Sequence, residues 1–537
     1  MRNLLLTVLL ASAAFAGRPN VLFVISDDQS YPHASAYGCQ WVQTPGFDRI
    51  AKGGVLFNNA FAPTPGCSPT RACVLTGRHA WRNREAGTHA SSFPADLQVF
   101  PEILAAAGYH VGQTGKGWGP GNFRTSGRKQ NPAGPSYNKA KKKPPVGGIA
   151  SNDYAGNFDA FLENRRDDTP FCFWFGAHEP HRGFAAFKDP TADQLKAVRV
   201  PPYLPDTPEV RTDLLAYARE IEWFDSHLAR MLNRLEQLGE LNNTLVIVTS
   251  DNGMAFPRAK ANLYEDGIHM PLAISWPDQI PHGRTADDMV SLVDVMPTVL
   301  DASELNDKGK SMDGTSLLPL LRSSKSGVID PARDAVFAAR ERHSSSRFHS
   351  LGYPQRAIRT DRFLYIRNYA PQRWPAGTPR KFGKGNYPTG DAIVNQQLGP
   401  VHGGYHDIDA CPTLTFMIAN HATPEIGRTL SLAIDKRPAE ELFDIRSDPG
   451  CLQNLVADPA HAGTLERVSK RLTRELKTTG DPRENGNGDV FETYPRYSNI
   501  RVFPTPEWAR QDPQRVPKQP WLDQRLKQKM QPKRKDR

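Results

Sequence analysis

Two short runs of oxygen-bearing side chains stand at the ends of apolar segments. NVLFVIS (20–26) runs into Asp27-Asp28, and TLVIVTS (244–250) runs into Asp251-Asn252. Such side chains offer only oxygen, a donor set that suits the hard cations Ca²⁺ or Mg²⁺ rather than Zn²⁺. One pair alone would read as a helix cap. Two pairs on two similar segments favour a metal. A second chemical signal is PGCSPTRACVLTGR (65–78), in which Cys67 stands four residues before Arg71 and six before Cys73. No second Cys/His pair lies at zinc spacing. Four readings stay open for Cys67: a small buried hydrophobe, half of a disulfide, a thiol nucleophile working with a histidine, or the precursor of a modified side chain.

Positioning these groups requires buried strands. Residues 20–26 and 244–250 are continuous apolar, β-branched runs, the pattern of strands covered on both faces. Between them, Leu214, Tyr217, Ile221, Phe224, Leu228, Met231 and Leu235 recur at steps of three and four, and Gly239 follows. That spacing predicts a long amphipathic helix ended by glycine. Helix and strand in alternation predict an α/β fold around a large mixed, mostly parallel sheet. Ligands of such sheets bind beyond the carboxyl ends of the strands, where both acidic pairs lie. Further on, AIRTDRFLYIR (357–367) predicts a strand and turn. ELFDIRSDPGCLQNL (441–455) predicts a strand and turn followed by a helix to about Glu475. The expected organisation is a catalytic domain over 17–370, a smaller C-terminal α+β domain over 371–485, and a loose basic tail over 486–537.

Residues 1–16 read as a cleavable secretory signal: Arg2, an apolar run from Leu4 to Leu10, then Ala14-Phe15-Ala16 before Gly17. The expectation is a secreted or periplasmic protein without stable membrane insertion. Six cysteines in 537 residues are too few for a disulfide scaffold. The net charge of +10 is concentrated in the tail, where residues 501–537 hold eleven Lys/Arg and four Asp/Glu. Residues 124–143 hold seven Lys/Arg and no acid. Both segments read as solvated chain, or as a field that steers a polyanionic substrate. Neither is interleaved with aromatics, so nucleic acid is not expected as a partner.

The run Cys67-Ser68-Pro69-Thr70-Arg71, then Leu75-Thr76-Gly77, resembles the type I sulfatase signature C-x-P-[S/T]-R-x-x-x-L-T-G at every fixed position. NVLFVISDDQ, TPGFDRIAKGGVLFNNAFA, NTLVIVTSDNG, SLVDVMPTVLDA, DGTSLLPLL and ELFDIRSDPGCLQNL look like landmarks of that family in its order, over roughly residues 18–475. The resemblance implies an alkaline-phosphatase-like α/β sandwich with a smaller C-terminal domain. It also implies one Ca²⁺ and a formylglycine made from Cys67 by a maturation enzyme. Asp27, Asp28, Asp251 and Asn252, with residue 67, match the calcium ligands. Arg71, Lys116 of TGKGWG, His181 of HEPHRGF and Lys260 of PRAKANLYE match the residues that steady the nucleophile and hold the sulfate.

One position departs from the pattern. Many relatives carry a histidine two residues after the lysine, the usual candidate for the base that expels sulfate, and here Trp118 stands there. His178 is the histidine nearest in sequence that could take its place. Arg342, His343 and Arg356 are placed by the reading either in a substrate pocket or on the surface. The implied function is sulfate release from a sulfated saccharide. The motif PHR and the stretch from VPPYLPDTPEVRTDL to SDNGMAFPRAKANLYE lean toward the heparan N-sulfatase (sulfamidase) branch. An O-sulfatase, or a phosphatase or phosphodiesterase of the same superfamily, is the alternative.

Overall fold

The computed structural model describes residues 17–530 except 167–168, 310, 380–403 and 504. The expected leader therefore lies outside the described residues. Eight strands form the main sheet: β1 (Asn20–Ser26), β2 (Val55–Phe61), β3 (His110–Gly115), β4 (Phe171–Gly176), β5 (Thr244–Ser250), β6 (His269–Ser275), β7 (Arg284–Ala286) and β8 (Val290–Ser291). Their order is β3-β4-β1-β5-β6-β2-β7, with β8 also on β2. The pairs among β3, β4, β1 and β5 are parallel, and β6 runs antiparallel to both its neighbours.

Register fixes where the chemistry falls. Ser26 pairs with Ser250, Ile25 with Gly176, and Gly115 with Gly176. Four parallel strands thus end level, so the residues that follow them share one rim.

The alternation of side chains along β1 explains why its sequence is apolar throughout. Val21, Phe23 and Ile25 face a layer built on the Cys67–Thr76 and Val295–Ala302 helices. Leu22 and Val24 face the Pro208–Gln237 helix through Phe224, Leu228, Met231, Leu232 and Leu235. Burying a large side chain in either layer stabilises by about 1.5–3 kcal/mol. The long helix matches its predicted periodicity, and Gly239 follows it at φ +73°.

A second, antiparallel sheet is ordered β12-β11-β10-β9. Its strands are β9 (Ala335–Arg340), β10 (Gln355–Thr360), β11 (Phe363–Asn368) and β12 (Glu440–Asp444). Residue 370 falls between β11 and β12, inside this sheet. The Ala462–Thr478 helix covers it through Val468, Leu472 and Leu476, and the same cluster includes Cys73 of the Cys67–Thr76 helix. The small sheet therefore packs against the element that carries Cys67.

The tail corrects an expectation. It is anchored at single points along mostly exposed or half-buried chain: Phe491, Arg496 and Leu522 are buried. Tyr497 donates its amide to the Ala90 carbonyl at 2.7 Å. No helix among the described residues is long and apolar enough to cross a membrane.

Candidate active site

Cys67 is the first residue of a ten-residue helix, after Gly66 in extended geometry. Every residue of that helix is buried. Arg71 lies one turn further on the same face. Its Nε donates to Asp251 Oδ2 at 2.7 Å and its Nη1 to the Lys116 carbonyl at 2.6 Å. Gly176, at the end of β4, makes room for this crossing: a Cβ there would lie 1.8 Å from the Lys116 carbonyl oxygen and 2.8 Å from Arg71 Nη1.

The acids meet as their strands require. Asp28 adopts φ +79°, a region that aspartate tolerates better than most residues. Its amide donates to Asp251 Oδ1 at 3.2 Å, and Asn252 Nδ2 donates to Asp28 Oδ1 at 2.8 Å. Lys116 Nζ bonds Asp27 Oδ2 at 2.5 Å, and Lys260 Nζ bonds Asp28 Oδ2 at 2.6 Å. One oxygen of Asp27, one oxygen of Asp251 and the Cys67 sulfur lie within 4.8 Å of one another.

Asp27 Oδ1 and Asn252 Oδ1 are buried without a hydrogen-bond donor. Buried acceptors left unpaired are costly. These two, beside Asp28 and Asp251, form an oxygen donor set that fits a hard divalent cation. Cations already crowd the acids. Burial alone would raise Asp27, but Lys116, His181, Arg71 and Lys260 outweigh it and hold its carboxyl far below the usual range. Burial and the neighbouring Asp27 push Asp251 up to about 7, so the two carboxyls titrate as a pair. Burial also pushes the Cys67 thiol up to about 11. An unmodified Cys67 is therefore a neutral thiol near pH 7, a weak nucleophile. All six cysteines are unpaired, so neither Cys67 nor Cys73 is half of a disulfide.

His181 presents a defined nitrogen. Its Nδ1 lies 2.6 Å from the Arg182 carbonyl and so carries a proton, which leaves Nε2 facing Asp28 Oδ2 at 4.0 Å. Arg182 of the PHR motif anchors this loop. It grips Asp213 through both terminal nitrogens, at 2.5 and 2.9 Å, and lies over Phe184 and Phe256. It positions His181 rather than meeting a ligand.

Two residues escaped the sequence reading. His89 Nε2 lies 3.3 Å from Cys67 Sγ, and Asp409 Oδ2 accepts from Lys260 Nζ at 2.9 Å. Neither belongs to a motif. His89 comes from a loop that the short helical turn Arg84–Gly87 folds back beside the Cys67 helix. Its ring lies 4.6 Å from that of His343. His178 is exposed and its amide donates to the Tyr154 hydroxyl.

Trp118 is a core residue. Its Nε1 donates to the Ser68 carbonyl at 3.0 Å and its ring meets Phe93 edge-on. Of Arg342, His343 and Arg356, only His343 borders the site. Arg356 is buried against Asp481 at 2.5 Å and Glu341 at 2.8 Å. Arg342 is buried over Trp521.

Residues 19–305 match the family model "Sulfatase", and residues 258–375 match "N-sulphoglucosamine sulphohydrolase, C-terminal". The human N-sulphoglucosamine sulphohydrolase is 28% identical over 513 residues, covering 88% of this chain and 93% of that protein. An ulvan-active sulfatase of Formosa agariphila is 26% identical, covering 88% of this chain and 82% of that protein. Among solved structures, BT4656 in complex with its substrate D-glucosamine-2-N,6-O-disulfate superposes with a TM-score of 0.59 at 21% identity, covering 86% of this chain and 98% of that one. The alkaline-phosphatase-like sheet and the match over more than half of its length agree: this chain belongs to the sulfatase family of hydrolases.

Proposed function

We propose that the enzyme releases inorganic sulfate from N-sulfated glucosamine in a sulfated glycan, with a formylglycine at position 67 and one Ca²⁺. The N-sulfate reading is supported above all by the match of residues 258–375 to the sulphoglucosamine C-terminal model. The second reading, an O-sulfatase on another sulfated polysaccharide, is supported by the ulvan-active relative.

Asp27, Asp28, Asp251 and Asn252 would hold the calcium, together with residue 67. A hydrated formylglycine would supply an oxygen nucleophile for sulfur, and a bound calcium would lower the cost of its negative charge. Arg71 keeps Nη2 buried without a protein acceptor, a donor left for an oxygen at residue 67. Lys116 and Lys260 each have N–H groups beyond those spent on the acids, and these neutralise charge on the sulfuryl oxygens. His181, its Nδ1 committed to the Arg182 carbonyl, exchanges a proton with the leaving atom through Nε2. Release into a secreted or periplasmic space agrees with the leader-like residues 1–16.

The test is a panel of N-sulfated and O-sulfated saccharides, assayed for free sulfate with protein produced beside a formylglycine-generating enzyme. Mass spectrometry of the peptide containing residue 67 reports the conversion. Sulfate release only from O-sulfated sugars would end the N-sulfate reading. Activity from protein whose Cys67 is entirely unmodified would end the formylglycine one.

A further inference from the structure

A carboxylate beside a sulfate-binding lysine needs an explanation. Asp409 Oδ2 lies 2.9 Å from Lys260 Nζ, on the same ammonium that Asp28 holds. Its side chain is 31% exposed, whereas that of Asp28 is fully buried. One nitrogen of His181 and one oxygen each of Asp28 and Asp409 lie within 4.8 Å of one another. Asp409 thus stands at the mouth of the site, next to the imidazole assigned to the leaving atom. Toward a sulfate it is repulsive, and it weakens the field of Lys260.

The placement of Asp409 is built, not incidental. Two residues earlier, Asp407 is buried against Arg340 at 2.7 Å and Arg347 at 2.6 Å, and it accepts from the Ser344 amide. Four residues later, Thr413 Oγ1 donates to Asp213 Oδ2 at 2.7 Å. Asp213 is the residue that also clamps Arg182, the neighbour of His181. One carboxylate therefore registers the loop of His181 against the segment of Asp409. Lys260 pairs with the Asp409 carboxylate at 2.9 Å.

The two sides of the scissile bond differ in charge. When sulfur leaves oxygen, one proton makes a neutral hydroxyl. When sulfur leaves nitrogen, the S–N bonding pair stays on nitrogen while a new S–O bond forms to the oxygen at residue 67. One proton from His181 then gives the neutral amine, and a second from water gives an ammonium at neutral pH. A fixed carboxylate beside that nitrogen favours the second outcome and adds little to the first.

We propose that Asp409 is a specificity-determining residue whose carboxylate receives the amino group released from N-sulfated glucosamine, selecting N-sulfate over O-sulfate. This rests on the N-sulfate reading above. It assigns Asp409 to the leaving side of the site and leaves the metal and the nucleophile to other residues.

The experiment uses the full-length matured enzyme and its Asp409→Asn variant, with D-glucosamine, glucose and N-acetylglucosamine as inhibitors. Turnover is followed on glucosamine N-sulfate and on 4-nitrophenyl sulfate. In the wild type at pH 6, D-glucosamine should inhibit at least tenfold more tightly than glucose or N-acetylglucosamine. Asp409→Asn should erase that preference and lower the ratio of kcat/KM on glucosamine N-sulfate to kcat/KM on the aryl sulfate by tenfold or more. Equal losses on both substrates, or a wild type that binds glucosamine no better than glucose, would overturn the assignment. The wild-type inhibition series decides even if the variant folds poorly. The two levels fail differently. A wild type without activity on glucosamine N-sulfate removes the N-sulfate reading and Asp409's role with it. Activity there with unaltered selectivity in Asp409→Asn removes only the role of Asp409.

Discussion

Nε2 of His89 sits 3.3 Å from Sγ of Cys67, the one imidazole in hydrogen-bond contact with that sulfur among the described residues. The contact of the other ring nitrogen favours one direction for this bond. Arg496 Nη1 lies 3.4 Å from His89 Nδ1, and a guanidinium only donates. Nδ1 therefore accepts, and the proton sits on Nε2, directed at residue 67. Burial, with His343 and Arg496 adding, holds the ring neutral by pushing its pKa well below the ordinary value. In the proposed formylglycine enzyme, His89 would donate to an oxygen at residue 67.

Replacing His89 by alanine should lower kcat on the order of 10²-fold, the usual effect of losing one donor to a developing oxyanion. His89→Gln, which keeps an N–H, should retain more activity than His89→Ala. The formylglycine content of residue 67 should be the same in all three proteins by mass spectrometry. A variant with full kcat would show that the contact is packing only.

The oxygen set predicts stoichiometric calcium or magnesium, measured by elemental analysis, and no zinc. Asp251→Asn should lose metal and activity while keeping side-chain volume. Asp251→Ala should cost stability as well. It leaves Arg71 buried without its partner, a change typically costing about 3–5 kcal/mol. Stoichiometric zinc in the purified enzyme would sink the assignment.

Much of this site is legible in the sequence because it is local or periodic. The apolar runs 20–26 and 244–250 had to be doubly covered strands, and level strand ends bring Asp27, Asp28, Asp251 and Asn252 together. The signature run had to be a helix with Cys67 and Arg71 on one face. What the sequence hides is long-range pairing without a period. Arg356 pairs with Asp481 across 125 residues, and Lys260 with Asp409 across 149. Trp118, at the place where the family resemblance implies a histidine, spans with its indole from the Ser68 carbonyl to Phe93, a packing role that no motif reports. The tail read as loose because its basic composition is that of solvated chain. Arg496 and Arg525 instead bond main-chain carbonyls.

Acid should destabilise the enzyme through its buried histidines. His33 is buried, with Nδ1 3.1 Å from the Tyr217 hydroxyl, and burial lowers it from 6.5 to about 4. Its folded value lies below its unfolded one, so its contribution is complete above pH 6.5 and disappears as pH falls toward 4. The scale is about 3.5 kcal/mol at most, from about 1.4 kcal/mol per pH unit. The melting temperature should drop over that window, and His33→Gln should flatten the drop. An identical pH profile in the variant would exclude His33 as a source.

The tail should matter to catalysis through His89. Arg496 is buried, and its Nη1 donates to the His343 carbonyl at 2.9 Å and to the His89 carbonyl at 3.3 Å, besides facing His89 Nδ1. Arg496→Met keeps the length and removes the donors. His89 is then free to move its proton to Nδ1 and lose the bond to residue 67, so kcat should fall toward the level of His89→Ala while calcium content stays constant. Loss of structure alone would also lower kcat, and a double-mutant cycle separates the two causes. If Arg496 acts by orienting His89, adding Arg496→Met to His89→Ala should change kcat less than twofold. If the two losses multiply in full, Arg496 supports the site by another route, and the tautomer assigned to His89 loses its support.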